Sequence, residues 1–408
     1  MSGDENRQDE DFDDYINPED VIHVIELDDN GGISRHVDIA EEDEMEEMDE
    51  EDMEAVGGRA DVKDMAEIVF TKHTDAVFCV SIEPTACQLA VTGGQDDKAY
   101  VWKIASGEML FECTGHKDSV TCAGFSHDGV YVATADLSGL VKVWKVETHQ
   151  EVFSFESSDA EWMRWHSGSH VLFLGTVDGD VWMWKIPSGD CKTLQNHGCP
   201  ASCGGILSDG KRMCVGYDDG SIKIWDLKSA TVQHSITGMN AHKSTVLCVD
   251  SHLVNNVIMT GSSDVTSKII NSATGKVLST FDCSTPGSDG EDSVEAVALC
   301  PTHSYAATGT VSGVLSIWDT NTQICRHRCL HEAGIVSLLW DRLSPLIYTS
   351  SLDGVVRLWD ARSGAMTASW TGHTNSILGF DIARDGNVMV TVSEDKTARV
   401  FMLNTPDR

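Results

Sequence analysis

From about residue 63 onward, apolar and polar residues alternate in short runs, and this pattern repeats along the chain. Each repeat reads as a histidine-containing turn, a strand, an Asp/Gly-rich turn, a second strand, another turn, and a strand that closes on a large apolar residue. Alternation with a period of two predicts half-buried β-strands. The closing residues are spaced by 42, 40, 41, 45, 48, 41 and 42 positions, and they are Trp102, Trp144, Trp184, Trp225, Ile270, Trp318, Trp359 and Phe401. This regular period predicts an array of one structural unit.

The closing tryptophan is followed by aspartate in three units, at Trp225-Asp226, Trp318-Asp319 and Trp359-Asp360. A Trp-Asp pair and a period of about 40–45 residues are typical of WD repeats, in which four short strands form one blade. Eight such units follow one another without a break. The sequence therefore predicts an all-β fold, an eight-bladed WD40 β-propeller over residues 63–408.

The two ends of the propeller region complement each other. After Phe401 only the residues MLNTPDR remain, too few for the outermost strand of the last blade. Ahead of the first histidine turn, Met65–Thr71 reads as a strand that has no blade of its own. We predict that this N-terminal strand completes the eighth blade, closes the ring and protects the sheet edges that an open array would expose.

Residues 1–62 differ in composition and are predicted to form a disordered acidic tail. Residues 1–60 contain 24 acidic and 3 basic residues, a net charge of −21, and the rest of the chain carries −15 of the total −36. Such a segment cannot bury enough apolar surface to offset its ordering entropy. The acidity predicts a basic protein partner and no direct nucleic-acid binding, which normally needs a basic face.

The chain has no recognisable signal peptide and no apolar run of the ~18 residues that a membrane helix needs. Its 13 cysteines form no disulfide or zinc-binding framework. We therefore expect a cytoplasmic protein that does not insert into a membrane, with nuclear, cell-cortical or membrane-peripheral pools as alternatives. We also expect a monomer.

Histidine recurs in the turn before the first strand of a repeat, and aspartate recurs six positions before the closing residue. In WD blades these residues join a strand hydroxyl and the tryptophan N–H in a buried hydrogen-bond network. Five blades contain both members: His73 with Asp96, His197 with Asp219, His242 with Asp264, His331 with Asp353, and His373 with Asp395. The pattern departs at Ser138 in blade 2, Glu156 in blade 3 and Ser312 in blade 6. Repetition around a ring indicates a scaffold, so we predict no catalytic residue, cofactor or metal site, and no enzyme activity.

The turns that carry these residues are expected on one face of the ring, called the top face here. Asp75, Asp118 and Asp292 share one column, two residues before the first apolar residue of the first strand. Neighbouring turn positions hold further carboxylates, at Asp159, Glu332, Asp97, Asp136, Asp218 and Glu394. Such a rim would bind a Lys/Arg-rich segment through charge-assisted hydrogen bonds. The alternative is that these residues are acidic because aspartate favours turns and keeps the surface soluble.

A second candidate interaction site is Trp359-Asp360-Ala361-Arg362. The pattern W-D-x-R at the end of a WD repeat is the one by which some propellers dock to cullin-4 ubiquitin-ligase adaptors. It predicts a docking site formed by Trp359, Asp360 and Arg362. The alternative is that Asp and Arg occupy these positions for local reasons.

Several stretches resemble the angio-associated migratory cell protein family, namely EEDEMEEMDEEDME, VTGGQDDKAYVW, LFECTGHKDSVTCAGFSHDG, EWMRWH and SLDGVVRLWDAR. The resemblance runs from the acidic tail to the last residue. Blade 5, with Ile270-Asn271, and the insert at 283–292 are the least standard parts. The resemblance implies roles in cell migration, angiogenesis and Rho-type signalling. It also implies kinship with a fungal propeller that is a dedicated chaperone for the basic N-terminus of a large-subunit ribosomal protein.

Three hypotheses follow. The first is a chaperone or escort that binds a basic ribosomal protein through the acidic top face during ribosome assembly. The second is a signalling scaffold in cell migration and angiogenesis, whose binding depends less on salt. The third is a substrate receptor of a cullin-4 ubiquitin ligase, which depends on Arg362. The charge of the chain favours the first.

Overall fold

The computed structural model describes residues 63–285 and 292–403, so the predicted acidic tail and most of the insert at 283–292 lie outside the described residues. Within them the chain is almost entirely β, with one short 3-10 helix at Gly238–Asn240. The strands are β1 (Ile68–Phe70), β2 (Val77–Ile82), β3 (Leu89–Gly94), β4 (Ala99–Lys103), β5 (Met109–Cys113), β6 (Val120–Phe125), β7 (Tyr131–Asp136), β8 (Leu140–Lys145), β9 (Gln150–Glu156), β10 (Ala160–Trp165), β11 (Val171–Thr176), β12 (Val181–Lys185), β13 (Asp190–Leu194), β14 (Cys203–Ile206), β15 (Arg212–Gly216), β16 (Ile222–Asp226), β17 (Thr231–Ile236), β18 (Val246–Ser251), β19 (Val257–Ser262), β20 (Thr266–Asn271), β21 (Lys276–Asp282), β22 (Val294–Leu299), β23 (Tyr305–Thr310), β24 (Val314–Asp319), β25 (Ile324–Leu330), β26 (Ile335–Trp340), β27 (Leu346–Ser351), β28 (Val356–Asp360), β29 (Ala365–Trp370), β30 (Ile377–Ile382), β31 (Val388–Ser393) and β32 (Ala398–Met402).

These strands form eight four-stranded antiparallel sheets, which are the blades of a propeller. Seven blades contain four consecutive strands each, from β2–β5 in blade 1 to β26–β29 in blade 7. The first strands of successive blades contact one another around the ring, and β30 of blade 8 contacts β2 of blade 1. The predicted all-β, eight-bladed propeller is confirmed.

The hydrophobic core lies between neighbouring blades. Trp102 of blade 1, for example, is fully buried in a cluster that includes Val390 and Val400 of blade 8. Ile270 closes blade 5 in place of tryptophan and is also fully buried, so it keeps the apolar role of that position. Burying a large apolar side chain contributes about 1.5–3 kcal/mol, and each blade therefore depends on its neighbour.

The N-terminal strand closes the ring, as the sequence predicts. Strand β1 pairs antiparallel with β32 and completes the sheet β1-β32-β31-β30. The regular strand Ile68–Phe70 is shorter than the predicted Met65–Thr71, and residues before it bind the turn that follows β29. The Met65 N–H donates to the Thr371 carbonyl at 2.9 Å, and the Asp64 carboxylate pairs with Arg399.

Blade 3 is joined to both neighbours by two tryptophans of its innermost strand, β10. The Trp162 indole N–H donates to the Ala201 carbonyl of blade 4 at 2.8 Å. The Trp165 indole N–H donates to the Gly124 carbonyl of blade 2 at 2.9 Å. A Cβ at Gly204 would meet the Trp162 ring at 2.2 Å, so this packing requires glycine there. These bonds join blade 3 to the ring without the histidine network.

Candidate functional site

In blades 1, 5 and 8 a histidine bonds both an aspartate and a strand threonine, but the tryptophan bond of the predicted network is missing, because Trp102 Nε1 has no partner among the described residues and Ile270 and Phe401 replace tryptophan. In blade 8, the His373 ring bonds Asp395 at 2.8 Å through Nδ1 and Thr391 at 2.7 Å through Nε2. The other two sets repeat this geometry, with His73, Asp96 and Thr92 in blade 1 and His242, Asp264 and Thr260 in blade 5. Burial by itself raises the pKa of Asp395, but the hydrogen bonds from His373, Thr397 and the backbone hold that pKa well below its ordinary value. The network fixes the turns from which partner-binding side chains would project.

The prediction for Asp136 is wrong. The sequence places Asp136 on the acidic top face and Ser138 at the network position of blade 2. Instead Asp136 is fully buried at the end of β7 and bonds His116 at 3.0 Å. The Ser138 hydroxyl donates to Asp136 at 2.7 Å. The aspartate stands two positions earlier here than in the other blades, so its carboxylate turns inward and belongs to the scaffold.

Blade 7 also departs from the expected pairing. His331 bonds Thr349 at 2.8 Å, and the Trp359 indole N–H donates to the same hydroxyl at 3.2 Å. Asp353, however, pairs with Arg357 at 2.8 Å rather than with His331. Burial, together with the charge of Arg357, lowers the pKa of His331 to about 4. Asp353 and Arg357 thus form an ion pair without hydrogen-bond geometry, and His331 Nδ1 has no hydrogen-bond partner among the described residues.

Blades 4 and 6 show two further variations. In blade 4, His197 bonds Asp219 at 3.0 Å and the Ser221 hydroxyl at 2.7 Å through the same ring nitrogen, Nε2. In blade 6, the predicted rim residue Asp292 accepts the Ser312 hydroxyl at 2.9 Å. Asp292 thus bonds within its own blade, which reduces its capacity to accept hydrogen bonds from a partner.

The three aspartates of the predicted column do not have equal surroundings. Asp75, Asp118 and Asp292 each accept the backbone N–H of the next residue, at 3.0, 2.7 and 2.9 Å. Asp75 also lies 3.7 Å from the Lys396 ammonium. Asp118 is exposed. These bonds are local caps that shape the turn, and they leave Asp118 as the most open carboxylate of the column.

The remaining predicted acidic positions are exposed in turns: Asp97, Asp159, Asp218, Glu332 and Glu394. Because strands within a blade are antiparallel, the turn before the first strand and the turn between the second and third strands emerge at the same end. The Thr245 hydroxyl of blade 5 donates to Asp218 of blade 4 at 2.6 Å. Top-face turns of neighbouring blades therefore contact each other.

Three carboxylates come together where blades 3 and 4 meet on the top face. Glu161 is exposed, and its pKa is raised first by partial burial and then by the charges of Asp218 and Asp159. Glu161 lies at a β-bulge between Ala160 and Trp162 in β10. We call Asp159, Glu161 and Asp218 the acidic cluster. Sequence reasoning missed Glu161 because it follows the first strand residue instead of standing in a turn.

A cavity of about 660 Å³ lies at the other end of the innermost strands of blades 5–8. Two carboxylates in its lining join neighbouring blades. Asp250 accepts the Leu299 N–H at 2.7 Å, and Asp381 accepts the Ile82 N–H at 2.8 Å. Burial raises the pKa of both carboxyls to about 6. These contacts assign Asp250 and Asp381 to the scaffold of the ring.

The predicted docking pattern lies at the end of β28. Trp359 is buried, whereas the Arg362 side chain is 64% exposed. Arg362 forms two parallel hydrogen bonds to the Asp360 carboxylate, each 3.0 Å long. These bonds, with burial opposing them, lower the pKa of Asp360. The local ion pair accounts for both residues within the blade, and Arg362 remains accessible to a partner.

The docking hypothesis makes a direct prediction for Arg362. If the pattern binds a ubiquitin-ligase adaptor, Arg362→Ala should abolish capture of the purified adaptor in a pull-down assay, with unchanged thermal stability. His303→Ala, at another exposed position, is the control and should leave capture intact. Equal capture by wild type and Arg362→Ala would eliminate this docking mode.

Eight four-stranded blades, the repeated histidine network and the closing tryptophans define a WD-repeat β-propeller. The profile described as "WD domain, G-beta repeat" matches residues 66–103, 107–145, 190–226, 275–319, 324–360 and 364–401. Human angio-associated migratory cell protein is 48% identical over 96% of this chain and 94% of its own length. The chain belongs to the angio-associated migratory cell protein family of WD-repeat proteins, so the predicted family is confirmed.

Fungal proteins are similar as well. The ribosome assembly protein SQT1 of Saccharomyces cerevisiae is 27% identical, covering 84% of this chain and 86% of the relative. The crystal structure of Chaetomium thermophilum Sqt1 bound to the N-terminus of the ribosomal protein L10 aligns with a TM-score of 0.76 at 23% identity. That alignment covers 83% of this chain and 100% of the other. No helix in the described residues is long and apolar enough to cross a membrane.

Proposed function

We propose that this protein is a chaperone that binds the basic N-terminal segment of a large-subunit ribosomal protein on its top face and escorts it to ribosome assembly. The observation that carries the proposal is the acidic cluster. Partial burial of Glu161, and then its repulsion by Asp218 and Asp159, raise the pKa of this carboxyl, so its negative charge is costly without a partner. A Lys/Arg-rich segment relieves this repulsion and forms charge-assisted hydrogen bonds with the carboxylates.

The net negative charge of the chain also favours a basic partner. The chain from residue 61 to the end carries a net charge of −15, with 41 acidic and 26 basic residues. A net negative field accelerates encounter with a cationic partner and discourages contact with RNA. A fungal relative is named for ribosome assembly, and a similarly folded fungal structure holds the N-terminus of ribosomal protein L10. Both relatives support the choice of a ribosomal protein as the partner.

The experiment measures binding of the full chain to a synthetic peptide of the ribosomal protein L10 N-terminus by calorimetry at several salt concentrations. The test variant is Asp159→Asn, Glu161→Gln, Asp218→Asn, which removes three charges and keeps side-chain size. We expect the Kd to rise about tenfold or more at low salt, because three charge-assisted contacts are lost. We also expect wild-type binding to weaken steadily with salt, because added ions screen exposed charges.

The matched control removes three negative charges where the third and fourth strands of a blade connect, at the opposite end of the blades, two in the turns and one at the start of β13. It is Glu108→Gln, Glu147→Gln, Asp190→Asn, all at exposed positions. We expect the control to bind nearly as tightly as wild type. Equal loss in both variants would mean that only net charge matters, and unaltered binding in the test variant would exclude the acidic cluster as the site.

A second candidate function is a signalling scaffold in cell migration, which the name of the human relative favours. The same titration separates the two functions. A scaffold that binds through apolar contacts should keep its affinity for a partner as salt rises, because hydrophobic burial does not depend on ion pairing. Absence of peptide binding at low salt would contradict the chaperone function and leave the scaffold.

A further inference from the structure

Two histidines and an aspartate meet where blade 2 contacts blade 3, away from the acidic cluster. His127 and Asp128 belong to the turn between β6 and β7, and His170 immediately precedes β11. One ligand atom from each of the three lies within 4.8 Å of the other two. The histidines are 43 positions apart in sequence, and neither belongs to the repeated histidine network.

The turn of blade 2 presents one oxygen of Asp128 toward blade 3. Asp128 Oδ1 accepts the Ser126 hydroxyl at 2.8 Å and the Val130 N–H at 3.2 Å, which fixes the carboxylate within the turn. Oδ2 faces His170 Nε2 at 2.7 Å. The two oxygens thus have separate roles, so Oδ2 can bind a ligand without loss of the turn.

Both imidazole rings are held in place. His170 packs edge-on against Tyr131, with ring centroids 4.9 Å apart. The centroids of His127 and His170 lie 5.3 Å apart. His127 Nδ1 is buried and has no hydrogen-bond partner among the described residues. A buried nitrogen without a partner is unfavourable, so a ligand bound at this atom would stabilise the folded chain.

We propose that His127, Asp128 and His170 bind a divalent transition-metal ion, with zinc as the best match. Two imidazoles and one carboxylate are the ligands that zinc takes in three-ligand sites, where water or another donor fills the fourth position. With metal–ligand bonds of about 2.0–2.2 Å, neighbouring ligand atoms in a tetrahedral site stand about 3.4 Å apart. His170 and Asp128 need to separate by less than about 1 Å from their present contact.

The ion would strengthen the link between blade 2 and blade 3, which lacks the histidine network and is held to blade 2 by hydrogen bonds of Trp165 and His170. Leu174 in β11 and Thr134 in β7 of blade 2 occupy equivalent positions. Each of them pairs with the second residue of the ladder that the third strand of its own blade forms. Leucine offers no hydroxyl, and Glu156 stands where the network histidine belongs. A bound metal supplies a polar crosslink at this interface, and it stabilises the folded chain because the unfolded chain does not hold the three ligands together.

The test is a titration of the metal-stripped full chain with Co²⁺, followed by visible absorption, and with Zn²⁺ in competition with a chromophoric chelator. We expect one Co²⁺ per chain with the bands of a nitrogen and oxygen ligand set. Zn²⁺ should also raise the Tm of the wild type. In His170→Gln and Asp128→Asn we expect the Kd to rise by at least about tenfold. Asparagine in Asp128→Asn keeps a side-chain oxygen that can accept the hydrogen bonds of the turn, so we expect this variant to fold like the wild type.

Two controls complete the test. His303→Gln removes an exposed histidine elsewhere and should bind metal like the wild type. Cys199→Ser examines the other possible cluster of the described residues, His197, Cys199 and Asp219, which would show a sulfur-to-cobalt charge-transfer band. Retention of the signal in Cys199→Ser supports the proposed site. Loss of binding in Cys199→Ser, or unchanged affinity in both His170→Gln and Asp128→Asn, would overturn it.

Discussion

Deletion of residues 65–71 is expected to abolish cooperative unfolding of the ring or to lower its Tm drastically. Phe70 is 1% exposed and stacks on Trp102 of blade 1 at 4.7 Å, so the closing strand connects the last blade to the first. Loss of one buried phenylalanine side chain alone costs about 3–5 kcal/mol, a large part of the 5–15 kcal/mol by which a typical domain is stable. The deletion also exposes the edge of β32, which invites aggregation.

The measurement is thermal and urea unfolding followed by circular dichroism, with Phe70→Ala as an intermediate variant. A chain that lacks residues 2–60 is the control. We expect it to unfold like the wild type, because the sequence predicts that this segment makes no contribution to the core. Equal melting temperatures for the wild type and the chain without residues 65–71 would refute the role of β1 in closure.

Asp136→Ala is expected to destabilise the propeller by about 3–5 kcal/mol, which is the usual cost of breaking a buried charged network. The Asp136 carboxylate accepts four hydrogen bonds, from the His116 ring, the Ser138 hydroxyl and the N–H groups of Lys117 and Leu140. Alanine leaves these donors without an acceptor, and buried donors without partners are costly. Chemical denaturation at neutral pH measures the loss.

The same carboxylate predicts a pH dependence. Burial opposes ionisation, but the bonds from His116 and Ser138 lower the pKa of Asp136 from 3.8 to about 2. Because the folded pKa lies below the unfolded one, the contribution to stability is complete above about pH 4 and is lost as the pH falls toward 2. The stability of Asp136→Ala should therefore fall less steeply than that of the wild type over this range.

Glu394→Ala is the control for Asp136, because both residues were expected on the top face and Glu394 is exposed. We expect Glu394→Ala to change the free energy of unfolding by no more than about 0.5 kcal/mol. A stable Asp136→Ala protein that loses peptide binding would contradict the buried position and restore Asp136 to the binding surface.

The fold was predictable from the sequence because its information is local and repeated. Strand alternation, the closing residues and the unmatched strand near residue 68 each depend on neighbours within a few positions. Eight repetitions of a weak pattern become a strong one. The network residues His73 and Asp96 were identified by the same column counting, and the structure places them 3.0 Å apart.

Counting positions back from the closing residue failed where the network aspartate stands at another position of an equally long turn, since Ala135 pairs with Val141 just as Gly93 pairs with Ala99. Asp136 stands eight positions before Trp144, whereas Asp96 stands six before Trp102. The sequence offered Ser138 at the expected position, and only the pairing of β7 shows that Asp136 lies inside. Asp353 likewise pairs with Arg357 instead of His331. Arg357 and His331 compete for this carboxylate, and the spacing of residues alone does not show which of them binds it.

The sequence by itself determined the number of blades, the strand that closes the ring and the sign of the charge, because each follows from local periodicity or composition. Tertiary structure decided which polar groups meet. A β-bulge brings Glu161 toward Asp159 and Asp218, and the contact between two blades brings His127 near His170. Such contacts between side chains depend on the angle and spacing between packed blades. The angle and the spacing are set by side chains that are far apart in the sequence.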